Sequence, residues 1–208
     1  MEHYDEEILK ARKKAEDAQK ARYSSKTVER EKQQSIYNDF VEIFKIPTKF
    51  ANTEVLNGKA AIFMPVDFEL RPSEEVKMLF PFGNPPQELY GNSYSYFIIA
   101  LNWTEHQIME DEIPEFIIFA KQLMERMGPR ARVMKTDVKK HDKGNIGVME
   151  VVANALQGVS YSYIFYTIGA GRLLIGTVMF DKKYKERLLP LAEEIVESFH
   201  IFKEGTPE

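Results

Sequence analysis

GNIGVMEVVANALQGVSYSYIFYTIGAGRLLIGTVMFDKKYKERLLPLAEEIVESFHIF, residues 144–202, decides how the rest of the chain is read. It parses as three consecutive strands closed by a helix. Ile146 to Asn154 is rich in Val and Met and runs into a turn at Asn154-Ala155-Leu156-Gln157-Gly158. Val159 to Ile168 interleaves Tyr161, Tyr163, Ile164, Phe165 and Tyr166, the aromatic and β-branched content that suits a pleated surface. Gly169-Ala170-Gly171 tolerates positive φ, so the chain can reverse into a third strand, Arg172 to Met179. Asp181 then caps a final helix whose apolar positions are Leu188, Leu189, Leu191, Ala192, Ile195, Val196 and Phe199.

Working outward, Arg130 to Lys139 reads as an amphipathic strand that enters this unit through His141-Asp142-Lys143-Gly144. A helix begins at Ile113-Pro114-Glu115 and stops at Gly128-Pro129, with an expected buried face of Phe116, Phe119, Ala120, Leu123, Met124 and Met127. Ser93 to Trp103 reads as a strand with two apolar faces, Phe97, Ile99, Leu101 and Trp103 against Tyr94, Tyr96, Ile98 and Ala100, so both need cover. Further back, Pro72-Ser73-Glu74-Glu75 opens a short helix with Ser73 as the expected cap. Asn57-Gly58 between Phe50–Leu56 and Lys59–Met64 marks a hairpin. Ile36, Tyr37, Phe40, Val41 and Phe44 fall on one face of an expected helix over residues 35–45.

Residues 1–34 differ from all of this. Nine basic and eight acidic side chains nearly cancel, and only Ile8, Ala11, Ala15 and Ala18 make a narrow apolar stripe. The expected organisation is a charged helical arm, 1–34, followed by one domain, 35–208. Consecutive hairpins imply a mostly antiparallel sheet, and the interspersed helices imply an α+β fold in which helices cover it.

Composition narrows the function. At 208 residues, 44% hydrophobic, the chain can bury a core, and its net charge of −4 argues against nucleic acid. With no cysteine there is no disulfide, thiolate nucleophile or Cys-based metal site. Met1-Glu2-His3-Tyr4-Asp5-Glu6-Glu7 lacks the charge pattern and apolar run of a signal peptide, so a cytoplasmic location is expected. Val151 to Gly171 carries no formal charge, but Asn154, Gln157, Gly158, Ser160, Ser162, Gly169 and Gly171 interrupt it. The strand-turn-strand reading accounts for each interruption, and no membrane span is expected.

From about Lys59 to Ile201 the ordering resembles the PsbP/Mog-like superfamily, in particular its uncharacterised bacterial members. The resemblance is carried by Ile62-Phe63-Met64-Pro65-Val66-Asp67-Phe68, Gly147-Val148-Met149-Glu150-Val151, Leu174-Ile175-Gly176-Thr177-Val178-Met179 and Ala192-Glu193-Glu194-Ile195-Val196-Glu197-Ser198-Phe199. It implies an α/β/α sandwich. Members of the superfamily include Ran-GTPase-binding proteins, photosystem II extrinsic subunits and bacterial secretion-effector chaperones, which share binding to other proteins rather than a reaction.

Chemistry-bearing motifs are sparse. The histidines are His3, His106, His141 and His200, none at a helical zinc-pair spacing. The densest His/carboxylate cluster is Glu105-His106 with Glu110, Asp111 and Glu112. It could support a hard metal or acid–base chemistry, or simply supply acids at the start of the following helix. Gly169-Ala170-Gly171 lacks the third glycine, the lysine and the following helix of a phosphate cradle. Tyr94 and Tyr96 share one strand face and Tyr161 and Tyr163 another. Such rings either pack beneath helices or form an aromatic surface for a partner. The leading expectation is a non-catalytic protein-binding module, adaptor- or chaperone-like, with Tyr94, Tyr96, Tyr161 and Tyr163 as candidate partner-binding residues and no cofactor. A metal- or small-molecule-dependent enzyme at Glu105-His106 and a subunit that oligomerises through residues 1–34 are the alternatives.

Overall fold

The computed structural model describes residues 34–80, 85–93, 97–127, 131–141, 144–155 and 158–202. The chain divides into two units, residues 1–34 and 35–208, and everything below concerns the second. The arm of residues 1–33 lies outside the described residues.

Residues 35–45 do not form the expected helix. A turn over residues 36–39 leads into a small hairpin of β1 (Val41–Ile43) and β2 (Ile46–Thr48), paired Val41 to Thr48. Val41 and Ile43 point inward and Glu42 outward, so the period is two rather than 3.6. The turn residues Phe44 and Lys45 take φ of 52° and 67°, values costly for bulky side chains. Two contacts hold them there. The Phe44 ring meets Tyr184 edge-on at 4.6 Å, and Arg187 Nη2 donates to the Glu42 carbonyl at 2.6 Å and to its carboxylate at 2.8 Å. Ile36 is buried as the sequence implies, but Tyr37 and Phe40 are exposed.

The next hairpin forms as expected. β3 (Phe50–Val55) pairs with β4 (Ala60–Pro65), and Leu56, Asn57 and Gly58 all carry positive φ in the turn between them. After β5 (Glu69–Leu70) comes the short helix α1 (Ser73–Leu79). Pro72 occupies its N-cap position, so Ser73 is the first helical residue and makes no capping bond.

The remaining strands build the main sheet. They are β6 (Glu88–Gly91), β7 (Ile98–Gln107), β8 (Ala131–His141), β9 (Gly144–Ala155), β10 (Gly158–Gly169) and β11 (Arg172–Asp181). Helix α2 (Ile113–Met127) lies between β7 and β8, and α3 (Lys185–Ser198) follows β11. The sheet has seven antiparallel strands in the order β5-β6-β7-β11-β10-β9-β8. β12 (His200–Ile201) joins β4 and β3 in a separate three-stranded sheet.

The main sheet has two differently covered faces. On the inner face Phe97 just before β7, Ile99 and Leu101 of β7, Val178 and Phe180 of β11, and Tyr161, Tyr163 and Phe165 of β10 are buried. They form one core with Leu188, Leu191, Ala192, Ile195 and Val196 of α3 and Ile62 and Met64 of β4. On the outer face, α2 packs over β8 and β9 and reaches β10, while α1 lies by Leu89 and Ala100. The buried side of α2 is rotated from the sequence expectation. Ile113 and Ile117 are its buried anchors, and Phe119 and Leu123 are exposed. The cause is Gly147, where a Cβ atom would stand 2.1 Å from Ile117 Cδ1. With no side chain there, the helix settles onto the strand through its isoleucines.

The architecture is therefore an α+β sandwich of mostly antiparallel sheet covered by helices. No helix among the described residues is long and apolar enough to cross a membrane.

Candidate functional site

The inward alternation of β10 decides the fate of two candidate tyrosines. Tyr161 and Tyr163 are both buried, with 0% and 1% of their surface exposed, so they pack beneath α3 and form no open aromatic surface. The Tyr161 hydroxyl donates to the Glu150 carboxylate, the buried charged side chain of β9. Lys185 Nζ stands 3.6 Å from that carboxylate and 5.1 Å from the centre of the Tyr161 ring. Burial, then the bond to Glu150, pushes the Tyr161 hydroxyl well above the usual phenol range. Burial also raises Tyr163, to about 12, against the opposing pull of Lys139. Lys139 sits 6.0 Å from the Tyr163 ring centre and bridges to Glu193 at 3.8 Å and Glu197 at 3.3 Å on α3. This polar seam fastens α3 to the sheet. Tyr94 and Tyr96 lie outside the described residues.

The open ground is on the outer face. α1 and α2 leave a strip of β10, β11 and β7 partly uncovered between them, a trough of about 260 Å³. Its floor is Ser162, Ile164, Ile175, Thr177 and Met179, with Phe80 and Pro86 at one side. These residues alternate with the buried inner row of the same strands, which is why they share one surface. Among the described residues, no charged side chain lines it.

The helices to either side of the trough carry exposed apolar groups. Phe116 of α2 rests edge-on against Tyr166 of β10 at 5.5 Å, which places that flank of the helix on the trough side. Phe119 continues the same flank, touching Phe116 at 6.3 Å, and is 58% exposed, with Leu123 one turn on. Beyond Phe80 on the other side, Met78 is 80% and Leu79 60% exposed. Such a floor, with exposed apolar groups on the helices to either side, can exclude water from an apolar guest.

The Glu105-His106 cluster is spread over a strand end and the segment before α2. Both residues sit at the end of β7, and Glu105 pairs with Arg172 at 2.8 Å while His106 lies against Phe116. The neighbouring acids hold the chain. Glu110 accepts from the Asn145 amide at 3.1 Å and Glu112 from the Met109 amide at 2.7 Å. Among the described residues, no group of three His, Cys, Asp or Glu is placed to hold a metal ion.

No family model matches the sequence, and no curated protein matches it. Solved structures do resemble it. The solution structure of cyanobacterial PsbP (CyanoP) from Synechocystis sp. PCC 6803 superposes with a TM-score of 0.54 at 10% identity, over 74% of this chain and 92% of that one. A Pseudomonas aeruginosa protein of unknown function, PA94, described as a putative regulator, gives 0.43 at 9% identity over 76% and 99%. A Bacteroides thetaiotaomicron protein gives 0.43 at 11% identity over 76% of this chain and 50% of that one. At such identities the likeness concerns architecture, and the fold of this chain is PsbP-like.

Proposed function

We propose that the chain is a non-catalytic protein-binding module that receives an apolar segment of a partner in the outer trough. The observation that carries this is the pairing of an uncharged floor, Ser162, Ile164, Ile175, Thr177 and Met179, with exposed apolar groups on the helices to either side. Water against such a surface is released on docking, at roughly 25 cal/mol per Å² of apolar area covered. Interface cores are likewise depleted in charge and enriched in Phe and Met. The proposed setting is the cytoplasm, and subcellular fractionation that finds the protein exported or membrane-bound rejects that part.

A photo-cross-linking residue in place of Thr177, with Lys45 as the control position on the exposed β1–β2 turn, tests the site in cells. The expected result is discrete protein adducts from position 177 and none from 45, lost when Phe119 and Leu123 are both replaced by Asp. Absence of adducts at 177, or equal adducts at both positions, rejects the trough as a binding site.

A further inference from the structure

An open strand edge invites another strand, and folds commonly guard such edges by keeping them short or by adding lysines, prolines and bulges. Several edges here are guarded in these ways. β5 and β12 are two residues long, and β1 and β2 three. The end strand β8 slips register between Val133 and Lys135 and carries Arg132, Lys135 and Lys140. β3 has none of these devices. It is six residues long, contains no Lys, Arg or Pro, and keeps an unbroken register with β4 from Phe50–Pro65 to Val55–Ala60. Among the described residues it pairs with β4 alone. The Val66 amide donates to the Lys49 carbonyl at 2.9 Å, one step beyond the Phe50–Pro65 pair. Bonded and unbonded pairs alternate along an antiparallel ladder, so the main-chain groups of Asn52 and Glu54 face the open edge. Just past the end of that edge, Glu88 accepts from the Leu56 amide at 2.8 Å.

The side chains along this edge complement themselves. Asn52 and Glu54 are exposed, share one face by alternation, and form no hydrogen bond or ion pair among the described residues. An antiparallel copy centred on Thr53 sets Asn52 opposite the partner's Glu54 and Glu54 opposite the partner's Asn52. Each amide then meets a carboxylate, and the main-chain groups of the same residues bond across the axis. Thr53 faces its own copy, and Ala51 faces the partner's Val55. Other registers lose this match. A shift of two residues one way sets Glu54 against the partner's Glu54, and the opposite shift sets Glu54 against the partner's Phe50. A shift of one residue points the bonding groups of one copy back toward its own β4. We infer that β3 joins two copies of this chain in the Thr53-centred register, fusing their three-stranded sheets into one continuous sheet. Such a contact is isologous, so it closes at a dimer and leaves no β3 edge open. It shares no residue with the trough and holds whether or not the trough is occupied.

Sedimentation of the full chain at low salt, from micromolar to near-millimolar concentration, tests the contact. The wild type should dimerise. N52E sets a carboxylate against the partner's Glu54 and should weaken association at least tenfold. N52K supplies opposite charges instead and should strengthen it at least threefold, an advantage that fades in high salt. N52E/E54K restores opposite charges and should return to within threefold of the wild type. Both positions are exposed, so the melting temperature of the dilute protein should stay unchanged in all three variants. Cross-linking reads the register. The chain has no cysteine, so T53C can pair only with its own copy. Across the axis the two Cα atoms of an unbonded pair stand about 4.5 Å apart, within reach of a disulfide. In a glutathione redox buffer T53C should cross-link readily, and A51C, whose copies lie about 14 Å apart in this register, should not. A chain that stays monomeric across the whole range overturns the proposal. So does association indifferent to N52E and N52K, the result expected of pairing through residues 1–34. Equal cross-linking of T53C and A51C would overturn it as well.

Discussion

The inner and outer faces of the seven-stranded sheet come from the same strands, one residue out of step, and they are finished differently. Inside, Tyr161 stacks on Phe180 at 5.3 Å, Phe180 meets Phe97 at 6.3 Å, and Phe165 meets Phe199 at 5.3 Å, so the rings interlock beneath α3. Outside, Ile175, Thr177 and Met179 are only partly covered although their neighbours on β11 are fully buried. Interlocked rings specify one arrangement and carry the stability of the fold. A partly covered strip of smaller side chains contributes less, and it can be altered without unfolding the protein. The difference separates where this chain is held together from where it can meet something else.

The sharpest way to break that comparison is to truncate matched positions. Phe165→Ala removes a fully buried ring from the inner row and should cost about 3–5 kcal/mol in chemical denaturation. Phe199→Ala should fall near the lower end of that range, because Phe199 lies just beyond the last turn of α3. Met179→Ala on the outer strip should cost less than about 1 kcal/mol, since the side chain already meets solvent. Equal losses inside and outside would show that the outer strip is structural.

A second comparison uses close packing. A Cβ atom at Gly176 would stand 2.0 Å from the Phe165 ring, on the inner face. Gly176→Ala should therefore destabilise by about 1–3 kcal/mol through overpacking. The double variant with Phe165→Leu should recover part of that loss, a non-additivity that a double-mutant cycle reads directly. Strict additivity would mean that the ring is not the obstacle.

The polar seam under α3 is expected to contribute less per group. Glu150→Ala leaves the buried Tyr161 hydroxyl without its acceptor, at about 1–3 kcal/mol. Adding Tyr161→Phe should remove most of the further penalty, since no unpaired hydroxyl remains. Buried tyrosines on both faces of the sheet also set an alkaline limit. Tyr163 is raised to about 12, and burial raises Tyr166 as well. Unfolded tyrosines ionise near pH 10, so between there and the folded values the unfolded state releases protons that the folded state keeps. Stability is thus complete below about pH 10 and falls as the pH rises toward 12 and beyond. Melting temperatures measured from pH 8 to 12 should drop across that window, and the drop should be shallower in Tyr163→Phe. A flat profile to pH 12 would contradict the buried placement of these hydroxyls.

Much of the fold is legible in the sequence wherever a local signal and the tertiary structure agree. The strands over residues 144–181 are bounded by residues that tolerate positive φ, and Ala170 and Gly171 adopt it, at 49° and 72°. The Asn57-Gly58 hairpin follows the same logic. Residues 35–45 mislead because Ile36, Tyr37, Phe40, Val41 and Phe44 fit a helical spacing, while the true turn is made by Phe44 and Lys45, which carry no turn signature. Tyr184 and Arg187, far along the chain, hold that turn. The site was less legible for a related reason. Alternation groups Tyr161 with Tyr163, but which face lies under α3 is a tertiary fact. Phe119 and Leu123 likewise look buried until Gly147 fixes how α2 sits.

The smallest expected effect on stability tests the outer face from the opposite direction. Thr177 stands on the floor of the trough, midway along β11, opposite Ala100 of β7 and Ile164 of β10. An inward-facing position on the same strand could not accept a cation, because a buried unpaired charge is among the costliest single changes. Thr177→Arg should nevertheless be nearly neutral, within about 0.5 kcal/mol, because the guanidinium can reach solvent through the open trough while its methylenes lie along Ile175 and Met179. The same substitution fills the floor with charge and should eliminate partner adducts recorded from a cross-linker placed nearby, at Met179. A loss of more than about 2 kcal/mol would mean that the strip is sealed in solution, and the distinction between the two faces would then fail where it matters for binding.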